Sequence, residues 1–212
     1  MPLGGLPMIE HVLRRAQHFG FHPILCIPTG EYDEFNAAVT TIDLFEGHAT
    51  DVQTRLMECA HHHKIRIFHA LDGDDPFFDP FAVIESYQSA IAQRLYRILP
   101  SYHSQSGSGR MGTTYNLECP TGGERHLLDS ADYPWPQRIT VDYEEDYHLV
   151  CTIDRAVGGY MALRKEVDTL FVRNPQLHLL NWFRTQEWRE RQLDEQRSGP
   201  AVREEICQQA RS

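Results

Sequence analysis

Asp72, Asp74 and Asp75 crowd three carboxylates into four positions just before Pro76, and Asp142, Glu144, Glu145 and Asp146 form a second acidic cluster. Carboxylates so grouped suit a hard cation, and Mg²⁺ held in this way keeps several waters and binds phosphate oxygens. Each cluster also has a plainer reading. The first can be a strand-end turn in which Asp79 caps the next helix, and the second can be the acidic first turn of a helix, favoured by its dipole. If both follow strands that end at one sheet edge, their carboxylates can share or bridge metals beside a nucleotide.

Other candidate motifs are weaker. Gly107, Gly109 and Gly112 spell G-x-G-x-x-G, but the residues after them lack the amphipathic helix whose N-terminus would receive a pyrophosphate. His61, His62 and His63 are adjacent, so their side chains diverge and read as a solvated helix end. Neither G-x-S-x-G nor G-x-x-x-x-G-K occurs, which leaves Ser nucleophiles and P-loops without support. Trp182, Phe183 and Trp188 read as packing residues rather than a base-stacking platform.

The elements that must position the clusters follow from periodicity. Met8, Ile9, Val12, Leu13, Ala16 and Phe19 recur at helical spacing over 7–19, and a short buried strand is expected over 23–27. Further helix and strand pairs are expected over 32–39 with 42–45, 50–63 with 64–71, and from Pro80 with 94–99. Four such units predict an α/β fold, a three-layer α/β/α sandwich with a mainly parallel sheet. Asp72 to Asp75 then sit at the carboxyl end of a strand, where α/β sheets place ligands. Beyond them, 101–112 reads as a Ser/Gly loop and 113–138 as irregular. Residues 138–141 are β-prone, 144–157 helical, and 168–212 a polar, partly helical extension of the domain over 1–167.

Composition bounds the function. The 212 residues suffice for one globular domain, and 30 Asp and Glu against 20 Lys and Arg give a formal charge of −10. That charge repels a polyphosphate backbone, so nucleic-acid binding is not expected. No apolar run approaches the ~20 residues that span a bilayer, and the first residues lack a secretory pattern, so a cytoplasmic location is expected. The 5 cysteines, at 26, 59, 119, 151 and 207, include no Cys-x-x-Cys pair and read as reduced and structural.

Four segments resemble the cytidylyltransferase family of sugar nucleotidyltransferases, including the 3-deoxy-manno-octulosonate and spore-coat polysaccharide types. Residues 2–16, PLGGLPMIEHVLRRA, are similar to the family's stretch after its nucleotide loop. Gly47, Asp51 and Arg55 stand in a Gly-x-x-x-Asp-Val-x-x-Arg arrangement. DGDDPFFDP over 72–80 resembles the Gly-Asp-x-Pro-x-x-Asp-Pro signature, and TVDYEED over 140–146 the late Val-Asp-x-x-Glu-Asp motif.

The resemblance implies a GT-A-like fold and transfer of a cytidylyl group from CTP to a sugar or sugar acid, with release of pyrophosphate, in cell-surface glycan biosynthesis. It implies Asp74 and Asp142 as catalytic residues and Mg²⁺ ligands, Gly4, Gly5, Gly47, Asp51 and Arg55 at the nucleotide, and Thr113, Tyr115 and Asn116 at the sugar, with Arg125 and His126 further candidates. A homodimer is the family expectation. The chain departs from the pattern in starting after the family's first strand and its basic Leu-Pro-Gly-Lys loop. That departure implies an unpaired sheet edge or a gap, and an alternative function as a catalytically inactive, nucleotidyltransferase-like binding domain.

Overall fold

The computed structural model describes residues 1–39, 42–100, 112–127, 137–188 and 190. The chain opens with a hairpin of β1 (Pro2–Leu3) and β2 (Leu6–Pro7), followed by α1 (Met8–His18). Gly4 and Gly5 form its two-residue turn at φ of 58° and 84°, the left-handed pair that a tight hairpin requires. Next come β3 (Ile24–Pro28), α2 (Tyr32–Ala38), β4 (Asp43–Gly47), α3 (Val52–His62), β5 (Ile67–Ala70), α4 (Pro80–Ala92) and β6 (Arg97–Pro100). The predicted alternation of helix and strand through residue 100 matches these elements to within a few residues.

Three of the helices end alike. Phe21, Ile65 and Leu95 donate their backbone N–H to Ala16, Ala60 and Ala90, while Gly20, Lys64 and Arg94 donate to Gln17, His61 and Ile91. This is the Schellman arrangement, with the residue at positive φ directly after the helix end. Gly20 (83°) suits it, whereas Lys64 (56°) and Arg94 (51°) adopt it without glycine. In each unit the apolar residue after the turn leads toward the next strand.

The sheets are small and mixed. β3 and β4 pair in parallel, while β5, β7 (Thr113–Asn116), β6 and β8 (Glu124–Leu127) form a second sheet in that order. There β7 runs antiparallel to both β5 and β6, and β6 is parallel to β8. Among the described residues the two sheets are not hydrogen-bonded to each other, and β3 and β5 each have one paired neighbour. The fold is α/β, yet two of the four strand pairings in these sheets are antiparallel rather than the mainly parallel pattern expected.

Two stretches expected to be irregular are β7 and β8. Thr113, Thr114 and Tyr115 are β-prone, and Tyr115 stacks on Phe68 of β5 with ring centroids 5.0 Å apart. Conversely, 138–141 is not a strand. Val141 N–H reaches the Asp74 carbonyl, but the Arg138 carbonyl is taken by the Asn181 side chain, so no ladder propagates. The expected 101–111 loop, with Gly107 and Gly109, and the residues from 191 on, with Cys207, lie outside the described residues.

After β8 come α5 (Glu144–Val157), a 3₁₀ turn (Gly159–Met161), α6 (Arg164–Arg173) and a second 3₁₀ segment (Pro175–Leu180), then a helical stretch over 184–188. The larger core packs Leu3 of the hairpin and Phe77, Ile139 and Val141 against Leu149, Val150 and Ile153 of α5 and Val167 and Phe171 of α6. A smaller one joins Val12 and Ala16 of α1 to Phe78 and Val83. Both cores grip the segment directly after the first acidic cluster. No helix among the described residues is long and apolar enough to cross a membrane.

Candidate active site

The first acidic cluster occupies the turn between β5 and α4. Pro80 stands in the first turn of α4, and Asp79 caps it, accepting from Phe81 N (3.0 Å) and Ala82 N (3.4 Å). Arg164 of α6 donates to the other Asp79 oxygen at 3.0 Å. Asp79 is thus consumed by structure, as the plainer reading of this turn requires. Asp72, Asp74 and Asp75 are not: one oxygen from each lies within 4.8 Å of the others.

Asp142 joins them. Val141 N–H donates to the Asp74 carbonyl at 3.0 Å, and Thr140 Oγ1 donates to Asp75 Oδ1 at 2.9 Å, which draws 140–142 onto the 72–75 turn. The Asp142 charge is felt by all three aspartates. Partial burial, then that charge, pushes the Asp72 carboxyl up. Burial, then the Asp72 and Asp142 charges, pushes Asp74 up to about 6, against the pull of Arg138. Asp75, 3% exposed, is driven well above the carboxylate range by burial and by Asp74, with the Thr140 bond opposing.

The Asp74 Oδ1 atom is buried and has no hydrogen-bond partner among the described residues. An acceptor shut away from water without a donor is costly. A divalent cation satisfies it, and lets the neighbouring carboxylates ionise together. The donor set of clustered carboxylate oxygens is the kind that Mg²⁺ or Mn²⁺ takes. These residues therefore fit a metal.

Asp146 of the second cluster does a different job. As the third residue of α5, it accepts from Tyr143 N (3.0 Å) and Asp142 N (3.0 Å) with Oδ2. Arg138 Nε and Nη2 donate to its two oxygens, both at 3.0 Å, and Arg138 Nη2 also reaches Asp142 Oδ2. Glu145 pairs with Arg184. The acidic first turn of α5 is real, and Asp142, just outside it, is held by Arg138.

Sequence reasoning read Arg138 as part of a β-prone stretch and Trp188 as a packing residue, and it passed over Asn181. Asn181 Nδ2 donates to Asp146 Oδ1 and to the Arg138 carbonyl, both at 2.8 Å, and the Arg138 guanidinium lies 5.3 Å from the Trp188 ring and 5.4 Å from Tyr143. The available signal was the spacing of Arg138 from Asp142 and Asp146, four and eight positions.

The remaining candidates lie elsewhere. Gly4 and Gly5 form the hairpin turn, and a Cβ on Gly4 would meet Asp154 Oδ2 at 2.9 Å. Gly47 ends β4 where a Cβ would crowd Glu58, Arg55 and Phe45, each under 3.0 Å away. Asp51 caps α3, accepting from Thr54 N and Oγ1 at 3.1 and 2.8 Å, and these bonds hold its carboxyl low. Arg55 donates to the carbonyls of His48 (2.7 Å) and Ala49 (3.3 Å).

Thr113, Tyr115 and Asn116 are on β7, with the last two buried. Asn116 spends its amide on Ala90 O (3.2 Å) and Glu118 N (3.1 Å). Arg125, on β8, donates to Gln93 at 3.1 Å, and His126 beside it is exposed. His61, His62 and His63 are exposed at the end of α3. Cys26, Cys59, Cys119 and Cys151 are all free thiols.

No family model matches the chain, and no curated protein matches it by sequence. Solved structures do. A cytidylyltransferase from Leptospira borgpetersenii serovar Hardjo-bovis (strain JB197) superposes with a TM-score of 0.74 at 15% identity, covering 84% of this chain and 87% of its own. Rv0371c from Mycobacterium tuberculosis H37Rv gives 0.50 at 18% identity, over 72% of this chain and 87% of that one. Its complex with manganese gives 0.50 at 15%, over 72% and 89%. At such identities the likeness is one of fold: this chain is an α/β protein with the fold of a cytidylyltransferase.

Proposed function

We propose that the chain is a metal-dependent nucleotidyltransferase that transfers a cytidylyl group from CTP to a sugar or sugar acid and releases pyrophosphate, serving cell-surface glycan biosynthesis. The observation that carries this reading is the cluster of Asp72, Asp74 and Asp75, with a buried, unpartnered Asp74 oxygen and Asp142 brought beside it by the Val141 N–H bond to the Asp74 carbonyl, in a protein that shares the fold of a cytidylyltransferase. The three-layer, GT-A-like arrangement belongs to the same proposal. So does Mg²⁺ as the working ion, with Mn²⁺ as a probe suited to the same donors.

Asp74 and Asp142 would hold the cation. When bound, it neutralises phosphate charge and makes the α-phosphorus more electrophilic. The chain's own residues prepare the place. Thr140 and Val141 fasten the two acidic segments together, and Asp75, whose ionisation burial opposes in the absence of a cation, would add a further oxygen beside them. Asp72, on the exposed rim, is placed to share a cation or order its water. Phe77 and Phe78, both buried directly behind the turn, keep solvent from its inner side.

A second reading, nucleotide or sugar binding without transfer, is favoured by Asp51 and Arg55, which are engaged in capping their own helix and the turn before it. One assay separates the two. Purified protein with CTP, Mg²⁺ and a panel of sugar acids should release pyrophosphate, and Asp74→Ala should abolish the release while circular dichroism stays unchanged. A folded sample that binds CTP calorimetrically yet releases no pyrophosphate would establish the binding module instead.

A further inference from the structure

The chain's C-terminal part reaches the acidic site through a buried network. Arg138 is 3% exposed and Asp146 0%, and the two meet in a bidentate pair through Nε to Oδ1 and Nη2 to Oδ2. Arg138 thus faces two carboxylates, Asp146 and Asp142, with one positive charge. The pair grips Asp142 twice: Asp146 Oδ2 accepts the Asp142 backbone N–H, and Arg138 Nη2 donates to Asp142 Oδ2. A carboxylate has room for about four hydrogen bonds, so Asp142 can keep Arg138 and still face a cation. Without that grip, repulsion from the aspartates at 72, 74 and 75 would favour turning Asp142 outward.

Asn181 closes the network by donating to both the Asp146 carboxylate and the Arg138 carbonyl. Trp188 and Tyr143 cover the guanidinium, which strengthens its hydrogen bonds by excluding water. We propose that Arg138, Asp146 and Asn181 form a positioning clamp for Asp142, through which the segment around Asn181 and Trp188 sets the affinity of the acidic site for a divalent cation. The inference rests on the reading of Asp74 and Asp142 as metal ligands. Arginine is required, since a lysine ammonium lacks the planar fork that spans both Asp146 oxygens while reaching Asp142.

The test is Mn²⁺ binding to the full chain, with free and bound ion distinguished by electron paramagnetic resonance at a temperature where circular dichroism shows every variant folded. Asp142→Asn should lose the bound signal. Asn181→Ala and Arg138→Lys should weaken binding roughly 10- to 100-fold, the range seen when groups behind metal ligands are changed, and should alter the line shape of the ion that remains bound. Glu166→Ala, which removes the bond to Leu163 N at the start of α6, should destabilise without changing affinity. Wild-type binding by Asp142→Asn, or no Mn²⁺ uptake by the unaltered protein, overturns the metal reading and the clamp with it. Loss in Asp142→Asn with full affinity in Asn181→Ala and Arg138→Lys overturns the clamp alone, as does equal weakening by Glu166→Ala.

Discussion

Two knots of buried charge adjoin the Phe77–Phe78 pair: each holds a buried atom without a partner among the described residues, His11 Nδ1 in one and Asp74 Oδ1 in the other, but only the second sets carboxylate against carboxylate. In the scaffold knot, Arg15 is fully buried. It donates twice to the Phe78 carbonyl (2.9 and 2.8 Å) and once each to those of Tyr160 (2.8 Å) and Ala162 (2.6 Å), with its guanidinium against three phenylalanine rings. Beside it His11 meets Asp154 at 3.1 Å, and burial holds the imidazole below its ordinary pKa. In the site knot, burial and then the charges of neighbouring carboxylates raise Asp72, Asp74 and Asp75, and an Asp74 oxygen finds no donor among the described residues. Charge that is matched holds elements together, whereas like charges gathered at a strand end oppose one another.

The sharpest way to break this comparison is to empty the matched knot. Arg15→Met keeps a long side chain but leaves the carbonyls of Phe78, Tyr160 and Ala162 without these donors. The expected loss is about 3–5 kcal/mol, as when one member of a buried charged network is removed. Urea unfolding followed by circular dichroism measures it, and an Arg15→Met variant as stable as the wild type would mean that the contacts of Arg15 are incidental.

Two changes of Asp to Asn sharpen the contrast, because they should have opposite signs. Asp146→Asn replaces a carboxylate that accepts from Arg138, Asn181 and two backbone amides, and should cost about 2–4 kcal/mol. Asp74→Asn removes a carboxylate whose ionisation the fold opposes. Its rise from 3.8 to about 6, converted at about 1.4 kcal/mol per unit and discounted for partial exposure, gives roughly 1–2 kcal/mol of added stability at neutral pH without metal. For a chain of this size that is about 2–8 °C in Tm. Mn²⁺ affinity should fall in the same variant, so that stability and binding move apart.

The sequence carried the α/β alternation because α1, α3 and α4 each bury a regularly spaced face, whereas α2 buries no residue, and Pro80 and Asp79 mark where α4 begins. The two acidic clusters themselves were legible, but the sheet edge expected to join them was not: 138–141 forms no strand, and the second cluster reaches the first through the Val141 and Thr140 bonds instead. What escaped was non-local. The direction of β7 is set by its partners, Ile67–Ala70 and Arg97–Ile98, and nothing in Thr-Thr-Tyr-Asn encodes it. Lys64 and Arg94 close their helices at positive φ with side chains that announce no turn. Arg138 reads as part of a β-prone run until Asn181, 43 positions away, takes its carbonyl. Asp51, Arg55 and Asn116 match a motif or a loop composition, yet the structure commits the first two to local hydrogen bonds and Asn116 to the Ala90 carbonyl at the end of α4.

The smallest expected effect is also the most diagnostic, because it asks whether the unmatched knot titrates as its charge implies. Between the ordinary Asp value of 3.8 and about 6, the folded state keeps a proton on Asp74 that the unfolded chain has released, so this group's contribution to stability falls as pH rises through that window. His69 acts oppositely, since burial lowers it to about 4 and the unfolded chain takes up its proton first. His11 shares that direction, so the pH profile of the wild type alone is a sum of opposing slopes. Subtracting it from the Asp74→Asn profile cancels both histidines. The difference should stand at roughly 1–2 kcal/mol near pH 7 and shrink toward zero near pH 4. A difference that stays constant across that range would show that Asp74 feels no pressure from its neighbours, and the distinction between matched and unmatched charge would fail at the residue that carries it.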